Sequence, residues 1–418
     1  SFFVLLFLGV PIAMSLGLSA MGGILFLGGG STVTIAQRMF EGMNSFALLA
    51  IPLYTFAGFT MSKGGISKRL MDFCYSIVGH IYGGLAHVNV LSSMIFAGIS
   101  GSAVADTAGV SGMFMPEMVR KGYSKNFTVA VTAISSTIGI IIPPSIPMVV
   151  IAGICGISTG KLFLGGIIPG VLCGLAQMIV SYFMAKKEGV PKEPGHFTIG
   201  PVLHGLWESW PALLMPIIIV GTITMGIVSP TEAGVIAVVY GLFAGGIIYR
   251  ELKWEDIKFA FAETVRTSGR IFIVIGAAKL YTVMLTTAGF DKWVAKTMLG
   301  FSTNPTVILI VILLIFFIVT MFMESIATLT LFMPILYPIA LGVGINPIVL
   351  SVLITVVIGV GLVTPPVGMC IYVACDLMDV TVGEVFPTLV PFIAATFVCI
   401  ALMVAFPQLI LLPTYLMA

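Results

Sequence analysis

The pattern Gly-x-x-x-Pro-Pro occurs twice in this chain, 222 residues apart, and each copy interrupts a long apolar segment. The first copy runs from Gly139 to Pro144 and the second from Gly361 to Pro366. Because proline has no amide hydrogen and its ring clashes with the preceding turn, neither segment can continue as one regular helix. Each copy therefore predicts a helix that breaks in the middle of its apolar run.

Composition indicates where those breaks must lie. The chain has 418 residues, of which 59% are hydrophobic and only 9% charged, and its mean hydropathy is +1.16. This balance is typical of an all-α polytopic membrane protein surrounded by lipid, and not of a soluble domain. Within a bilayer, broken backbone survives only where it is buried in protein or lines a wet cavity. The net charge of +2 argues against nucleic acid as a partner, and the six cysteines form no metal or redox spacing.

A small and polar stretch, Ile-Phe-Ala-Gly-Ile-Ser-Gly-Ser-Ala-Val-Ala-Asp-Thr-Ala-Gly, occupies residues 95–109 in otherwise apolar surroundings. The flanks Leu85–Ile99 and Ala108–Val119 are each too short to cross about 30 Å of hydrocarbon as a helix. They predict a re-entrant hairpin whose tip stops near the middle of the membrane. Asp106 on that tip is costly in lipid, which makes it a functional candidate. The alternative is that this acid, with neighbouring serines, only caps the start of a helix.

The second half of the chain repeats the first. Phe114-Met-Pro116 matches Phe332-Met-Pro334 at a distance of 218 residues, and the same distance places Asp106 on Glu324. A second hairpin is thus predicted around residues 321–328. Since a single crossing separates the repeats, the second begins on the opposite side of the membrane and the two halves form an inverted pair. Inverted repeats that each hold a hairpin and a discontinuous helix point to a secondary transporter.

The full crossings are predicted from the apolar runs between charged loops. Clusters of Lys and Arg set the orientation, since all of them can face the cytoplasm if residues 85–119 turn back without crossing. The second hairpin then enters from the outer side. The expected count is nine crossings and two hairpins, and the crossings are Phe2–Gly28, Phe46–Ser62, Phe127–Ile157, Leu162–Ala185, Trp207–Val228, Ala233–Tyr249, Ile271–Thr287, Val349–Ala374 and Glu384–Leu412.

The two breaks offer ligands that lipid lacks. Proline frees the carbonyl groups near Gly139–Ile142 and Gly361–Thr364, and such carbonyls with Ser or Thr hydroxyls suit a dehydrated monovalent cation. Helices that restart after Ser102 and after Glu324 aim positive dipole ends at the same space, which favours an anionic substrate. The alternative is a pair of proline kinks without a ligand. The repetition of the pattern opposite a polar tip in both halves favours transport.

Four motifs occur in order along the chain: Gly-Ser-Ala-Val-Ala-Asp at 101–106, Pro-Pro-Ser at 143–145, Gly-x-x-x-Pro-Thr-Glu-Ala at 226–233 and Thr-Pro-Pro-Val-Gly at 364–368. They resemble the large membrane subunit of the TRAP (tripartite ATP-independent periplasmic) transporters, and the resemblance covers essentially the whole chain. It implies an elevator-type transporter of the ion transporter superfamily in the bacterial inner membrane. It also implies sodium-driven uptake of a carboxylate substrate.

The resemblance further implies two protein partners. One is a soluble periplasmic binding protein that delivers the substrate, and the other is a small four-helix membrane subunit beside the scaffold. That subunit is fused upstream in some members, which would suit a chain that begins at Ser1 inside an apolar run. Within the family the chain looks most like the sialic acid members, and C4-dicarboxylate substrates stay open.

An elevator divides the chain into parts that hold still and parts that move. Scaffold and arm helices are expected at residues 1–81, and the first hairpin and discontinuous helix of the transport domain at 82–160. Scaffold spans and a connecting loop are expected at 161–270. The second hairpin and discontinuous helix complete the transport domain at 271–383, and a last scaffold span is expected at 384–418.

Carried over by position, the resemblance implies at least two sodium sites. The first would use Ser100, Ser102 and Asp106 with the carbonyls of Gly139, Ile142 and Pro143, and the second Thr320 and Glu324 with the carbonyls of Gly361, Thr364 and Pro365. The substrate would meet Ser102, Ala103, Ser145, Ser325 and Pro366. Two roles stay open for both acids: contact with the cation, or support of the tips through backbone N–H bonds.

Two other classes of function compete with a coupled transporter. Gly98-Ile-Ser100-Gly101 fits the Gly-x-Ser-Gly of rhomboid intramembrane proteases, but a serine nucleophile needs a positioned base. His80 and His87 precede the serine, whereas rhomboids carry the histidine on a later span, so no catalytic residue is expected. A passive channel is the stronger rival. Lys279, the deepest basic residue, either meets the substrate carboxylate or snorkels within the scaffold.

Overall fold

A computed structural model describes residues 1–26, 32–190 and 198–417, and within these ranges the chain is helical and contains no strand. The α-helices are α1 (Phe2–Phe7), α2 (Ile12–Phe26), α3 (Thr32–Met43), α4 (Ala50–Lys63), α5 (Ile66–Val78), α6 (Gly84–Ser100), α7 (Ala103–Arg120), α8 (Lys125–Ser136), α9 (Ile146–Cys155), α10 (Thr159–Glu188), α11 (Ile199–Thr224), α12 (Pro230–Phe243), α13 (Trp254–Thr287), α14 (Phe290–Phe301), α15 (Pro305–Thr320), α16 (Ser325–Gly342), α17 (Pro347–Gly361), α18 (Met369–Asp376), α19 (Val382–Ala405) and α20 (Gln408–Leu411). Short 3-10 or π turns extend four of these regions, at Phe46–Leu49, Thr137–Ile140, Ala244–Ile248 and Leu412–Met417.

Seven helical segments of the described chain are long and apolar enough to cross a membrane. They are Phe46–Lys63, Thr159–Glu188, Ile199–Thr224, Pro230–Ile248, Trp254–Thr287, Ser325–Gly342 and Val382–Ala405. Six of them coincide with predicted crossings, and the seventh is the second arm of the second hairpin. The remaining three predicted crossings are broken helices, as expected for two of them. The count of nine crossings stays a prediction.

The predicted span Phe2–Gly28, in which Pro11 was expected to introduce a bend, is divided into two helices at that proline. Helix α1 ends at Phe7 and α2 begins at Ile12, with Gly9 in the left-handed region at φ 81° and Pro11 between them. Because proline lacks an amide hydrogen, the helix stops before it and restarts after it. The last two residues of the predicted span lie outside the described residues.

Helix α13 starts earlier than the predicted span Ile271–Thr287. It begins at Trp254 and runs for 34 residues, so Arg266 and Arg270 lie inside it rather than before it. Both arginines are exposed, and Arg266 donates to Glu263 one turn away at 2.6 Å. At 1.5 Å per residue the helix is about 51 Å long, which leaves its charged first half beyond the hydrocarbon.

The last predicted span, Glu384–Leu412, ends sooner than expected. Helix α19 stops at Ala405, because Pro407 follows and cannot continue the ladder of hydrogen bonds. Helix α20 and the turn after it fold back onto α10.

The helices pack in two groups. In one group α13 packs on α2, α3 and α4, while α12 packs on α4 and α11 on α5. The other group holds both hairpins, α6–α7 and α15–α16, and both broken helices, α8–α9 and α17–α18, and it contacts the first group where α16 packs on α13 and α6 on α4. Helices α10 and α19 pack on α8 and on each other. The division of the chain into five parts stays a prediction, and the packing places α10 and α19 beside the hairpins rather than beside α13. The connecting loop predicted within 161–270 comprises residues 186–192; its first three residues form the last turn of α10, and residues 191–192 lie outside the described ranges.

Candidate functional site

The first hairpin turns within two residues. Helix α6 ends at Ser100, Gly101 takes the left-handed conformation at φ 66°, and Ser102 starts α7 by accepting a hydrogen bond from a backbone amide of its first turn (3.4 Å). Glycine suits that position because a side chain there would be strained. Helix α7 restarts directly after Ser102, as predicted, and both helices run further into the tip than the predicted flanks Leu85–Ile99 and Ala108–Val119. Asp106 consequently lies in the first turn of α7.

The carboxylate of Asp106 is fully buried, and its two oxygens differ in their partners. The Ser100 hydroxyl donates to Oδ1. Oδ2 has no hydrogen-bond donor among the residues that the structure describes. It faces Gly139, where an added Cβ would collide with the carboxylate. A buried carboxylate oxygen is costly unless a ligand satisfies it, so this oxygen is a candidate cation ligand.

The first break lies directly against this tip. Helix α8 ends at Ser136, a 3-10 turn covers Thr137–Ile140, and α9 begins at Ile146. The amide of Ile146 donates to the carbonyl of Gly101 at 3.1 Å, so tip and break are joined through their backbones. A Cβ on Gly101 would lie 2.7 Å from the carbonyl oxygen of Pro144, and only glycine permits this approach.

Several carbonyl groups of the first break are available to a ligand. Within the described ranges, no donor reaches the carbonyl oxygens of Gly139, Ile142 and Pro143. The carbonyl of Ile140 already accepts from the hydroxyl of Ser145 at 2.5 Å. The three unpaired carbonyls are those predicted for the first sodium site.

The second tip uses its acid differently. Helix α15 ends at Thr320, whose hydroxyl donates to the carbonyl of Phe316 at 2.5 Å. Glu324 is the N-cap of α16, and its Oε2 accepts from two backbone amides of the first turn, at 3.0 and 3.3 Å. Its Oε1 accepts from the hydroxyl of Ser325 at 2.8 Å. Both carboxylate oxygens of Glu324 therefore stabilise the hairpin, which corresponds to the indirect role left open by the sequence.

The second break contacts the second tip as the first break contacts the first. The amide of Val367 donates to the carbonyl of Met321 at 2.9 Å. A Cβ on Gly361, at the end of α17, would lie 2.7 Å from the Cβ of Thr320. The peptide bonds between the paired prolines are cis in both breaks. The two halves thus build the same junction of tip and break twice.

The carbonyl groups of the second break are less open than those of the first. The carbonyl of Gly361 accepts from the amide of Thr364 at 3.1 Å. The carbonyls of Thr364 and Pro365 have no donor within the described part of the chain. Two of the three carbonyls predicted for the second sodium site are therefore unpaired.

The two junctions lie close to each other. Helix α18 of the second break packs on α7 and α8, and Cys370 in its first turn is fully buried. A Cβ on Gly359 of α17 would lie 3.3 Å from the side chain of Thr137 in the first break. No group of three or more His, Cys, Asp or Glu among the described residues could hold a metal ion. A cation here would depend on hydroxyls, carbonyls and single carboxylates.

The residues predicted to meet the substrate differ in accessibility. Ser102 is half-buried and Pro366 is exposed, whereas Ala103, Ser145 and Ser325 are buried. The hydroxyls of the last two donate within the protein, to Ile140 and to Glu324. The substrate set stays a prediction.

Lys279 lies on the side of α13 that meets α3. It is exposed on α13, and a Cβ on Gly42 of α3 would lie 2.6 Å from the Cβ of Lys279. This position beside α3 favours the snorkelling alternative over contact with a substrate.

Sequence reasoning passed over the polar residues that support the first tip. The hydroxyl oxygens of Thr107 and Ser136 lie 2.6 Å apart and join α7 to α8 next to Asp106. Asn89, buried in α6, donates to Thr132 of α8 at 2.7 Å. The sequence feature that could have identified these supporting residues is the series of hydroxyl side chains along the otherwise apolar α8: Thr128, Thr132, Ser135 and Ser136.

Residues 1–409 match the family described as Tripartite ATP-independent periplasmic transporter, DctM component. The chain is 35% identical to the sialic acid TRAP transporter large permease protein SiaM of Vibrio cholerae, covering 98% of this chain and 95% of that protein. It is also 35% identical to the C4-dicarboxylate TRAP transporter large permease protein DctM of Pseudomonas aeruginosa, covering 96% and 94%. It is 37% identical to the isethionate TRAP transporter permease protein DctMQ of Oleidesulfovibrio alaskensis. This match covers 94% of this chain and 62% of the isethionate permease.

Solved structures of membrane transporters share the fold. The YdaH transporter of Alcanivorax borkumensis matches with a TM-score of 0.59 at 13% identity, covering 90% of this chain and 88% of that one. MtrF of Neisseria gonorrhoeae matches with a TM-score of 0.59 at 13% identity, covering 92% and 85%. At this identity the likeness concerns the fold alone.

Proposed function

Because this chain belongs to the DctM family, the large permeases of tripartite ATP-independent periplasmic transporters, we propose that it takes up an organic anion by sodium-coupled secondary active transport. It is a multi-pass protein of the bacterial inner membrane, and its relatives are named as permeases rather than enzymes. The proposal concerns the coupling ion, the substrate and the conformational change that moves the site across the membrane.

The observation that carries the sodium proposal is the unpartnered oxygen of Asp106. It lies beside Gly139 in the first break, where three carbonyl oxygens also lack a donor within the described residues. Oxygen ligands of this kind suit a hard monovalent cation, and the single carboxylate balances its charge. Ser100 completes the set by holding the other carboxylate oxygen.

A second cation is proposed at the second junction, where Glu324 has only an indirect role. The carbonyls of Thr364 and Pro365 supply oxygens without a donor among the described residues, and the Thr320 side chain lies against Gly361. Glu324 holds the start of α16 and acts on this site through the shape of the tip.

The substrate proposed first is sialic acid, with C4-dicarboxylates second. The relatives named for these substrates are each 35% identical to this chain, and a relative named for isethionate is 37% identical. All three substrates are small organic anions. Helices α7 and α16 both begin at the junctions, so their positive ends can receive an anionic group.

The proposed movement is an elevator with two partners, a soluble periplasmic binding protein and a small membrane subunit. The division of the helices into two packing groups supports it, since one group contains both junctions and the other does not. The site would then cross the membrane with its own group while the group around α13 stays in place.

Uptake into proteoliposomes tests the proposal. The chain is reconstituted with its small membrane subunit, and radiolabelled sialic acid is offered with the binding protein outside. Uptake should require both an inward sodium gradient and the binding protein, and unlabelled succinate or isethionate should compete weakly. Uptake that continues without a sodium gradient would identify a passive channel instead.

A further inference from the structure

Asn89 joins three helices around the first hairpin. Its side chain is fully buried in α6. Nδ2 donates to the Thr132 hydroxyl on α8 at 2.7 Å and lies 3.7 Å from the sulfur of Met118 on α7. Oδ1 accepts from the hydroxyl of Ser135 on α8 at 3.2 Å. One side chain thus ties both arms of the hairpin to the broken helix beside them.

Two further bonds extend this contact toward the tip. Ser93 of α6 donates to the hydroxyl of Ser135 at 3.0 Å, and the hydroxyl oxygens of Thr107 and Ser136 lie 2.6 Å apart. All of these side chains are fully buried. We define the polar seam as Asn89, Ser93, Thr107, Thr132, Ser135 and Ser136.

The second hairpin has no such seam. Helix α15 carries only apolar side chains from Val307 to Val319. At the repeat distance of 222 residues, the three α8 members of the seam become Ile354, Val357 and Ile358 of α17. Within the described residues, the hydroxyls of α15, α16 and α17 bond only inside their own helix or its cap: Thr320, Ser325, Thr328, Thr330, Ser351 and Thr355.

The free-energy cost of separating a hairpin from the broken helix beside it therefore differs between the two halves. Opening the first would leave buried hydroxyls and an amide without partners in an apolar interior. Opening the second would separate apolar side chains, which leaves no buried hydroxyl or amide side chain without a partner, and would break the backbone bond between Val367 and Met321.

We propose that the polar seam makes the first hairpin and α8 one rigid piece, so that the binding space opens and closes by movement of the second hairpin alone. The inference rests on the proposed transport function and names which of its two hairpins is the gate. Asn89 is a positioning residue in this account, since it holds the tip that carries the site without touching a substrate or cation.

Disulfide bonds test which hairpin must move. In a background with the native cysteines replaced, Ser93→Cys with Ser135→Cys fixes α6 to α8, and Met321→Cys with Val367→Cys fixes the second tip to its break. Oxidation of the first pair should leave uptake unchanged, because those helices never separate. Oxidation of the second pair should abolish uptake, and reduction should restore it. Loss of uptake on oxidation of the first pair, or normal uptake with the second pair oxidised, would overturn the proposal.

Hydrogen exchange of the purified protein gives a readout that needs no transport. Amides at the first tip should exchange more slowly than those at the second. Asn89→Leu and Thr132→Val remove seam bonds at nearly constant volume, and each should raise exchange at the first tip by about three- to tenfold without changing the second. Thr355→Val, which removes only a bond inside α17, is the matched control.

The two measurements separate this inference from the function on which it rests. If the parent protein shows no sodium-dependent uptake but its tips still differ in exchange, the transport proposal fails and the rigid first hairpin stands. If uptake depends on sodium but the first tip exchanges as fast as the second, only the inference about the gate fails.

Discussion

Asp106 and Glu324 occupy matching positions in the two hairpins but use their carboxylates differently. One oxygen of Asp106 has no donor among the described residues, whereas all of the Glu324 carboxylate is used in capping α16. Asp106→Asn removes a charge that would be a direct ligand, so the sodium concentration for half-maximal uptake should rise roughly tenfold or more. Glu324→Gln keeps an oxygen that can accept the same amides, so its effect on sodium should be smaller.

Sodium titrations of uptake and thermal unfolding of both variants check this difference. Glu324→Gln should lower the unfolding temperature, because loss of a charged cap costs about 1 kcal/mol. Equal shifts in sodium dependence in the two variants would contradict the assignment of a direct and an indirect role.

Gly139 is required beside Asp106 because there is no room for a side chain. A Cβ at this position would collide with the carboxylate. Gly139→Ala should reduce sodium-dependent uptake by roughly tenfold or more, since buried overpacking costs about 1–3 kcal/mol. Gly112→Ala, in α7, is the control because a Cβ there meets nothing within 4 Å. Uptake is measured at saturating sodium for both, and equal activity would show that this close contact is dispensable.

At the scale of elements, the tip of the first hairpin can be tested with two glycines of the same conformation. Gly101 and Gly156 both have φ 66°, so alanine is strained equally at either position. Only at Gly101 would the Cβ meet a backbone atom, the carbonyl oxygen of Pro144 at 2.7 Å. Gly101→Ala should therefore destabilise the protein and reduce uptake more than Gly156→Ala. The difference in unfolding temperature between the variants measures the contact alone.

The elements that could be predicted from the sequence are those with a strong local cause. The two prolines of each break interrupt the helix for a purely local reason. The internal repeat is also visible in the sequence, and it aligns Asp106 with Glu324. Ser229 and Glu232 have the spacing of a capping box, and both capping bonds are present at the start of α12. The start of α13 also has a local cause, since Asp256 accepts from the amide of Lys253 at 3.0 Å, but the prediction placed it too late because hydropathy marks only the apolar half of that helix.

The roles of the site residues depend on contacts between distant segments, and the sequence could not supply these. The free oxygen of Asp106 follows from the position of Gly139, which is brought near only by folding. Helix α16 begins directly after Glu324, as predicted, but the partners of the Glu324 carboxylate could not be assigned from the sequence. The role of Asn89 likewise depends on its partners, Met118 on α7 and Thr132 on α8, which are distant from it in sequence.

At the scale of the whole molecule, the two packing groups meet at one helix of each hairpin, since α16 packs on α13 and α6 packs on the helices beside α13. Helix α6 belongs to the first hairpin, yet it also packs on α4 and α11 of the group around α13. A Cβ on Gly98 would lie 2.5 Å from the ring of Pro216, and a Cβ on Gly58 would lie 3.3 Å from the backbone of Ser100. Small residues at these crossings permit close helix packing without interlocking side chains. An elevator requires such a surface, because one group must slide on the other.

A disulfide across this surface should therefore stop transport, whereas one within a single group should not. Gly98→Cys with Pro216→Cys joins α6 to α11, and Leu53→Cys with Gly234→Cys joins α4 to α12, whose contact is similarly close at 2.9 Å from a Cβ on Gly234. In a background without native cysteines, oxidation of the first pair should abolish sodium-driven uptake and reduction should restore it. Oxidation of the second pair should leave uptake unchanged, because α4 and α12 belong to the same group. Full uptake with the first pair oxidised would mean that α6 and α11 stay together during transport, and the boundary of the moving group would then have to lie elsewhere.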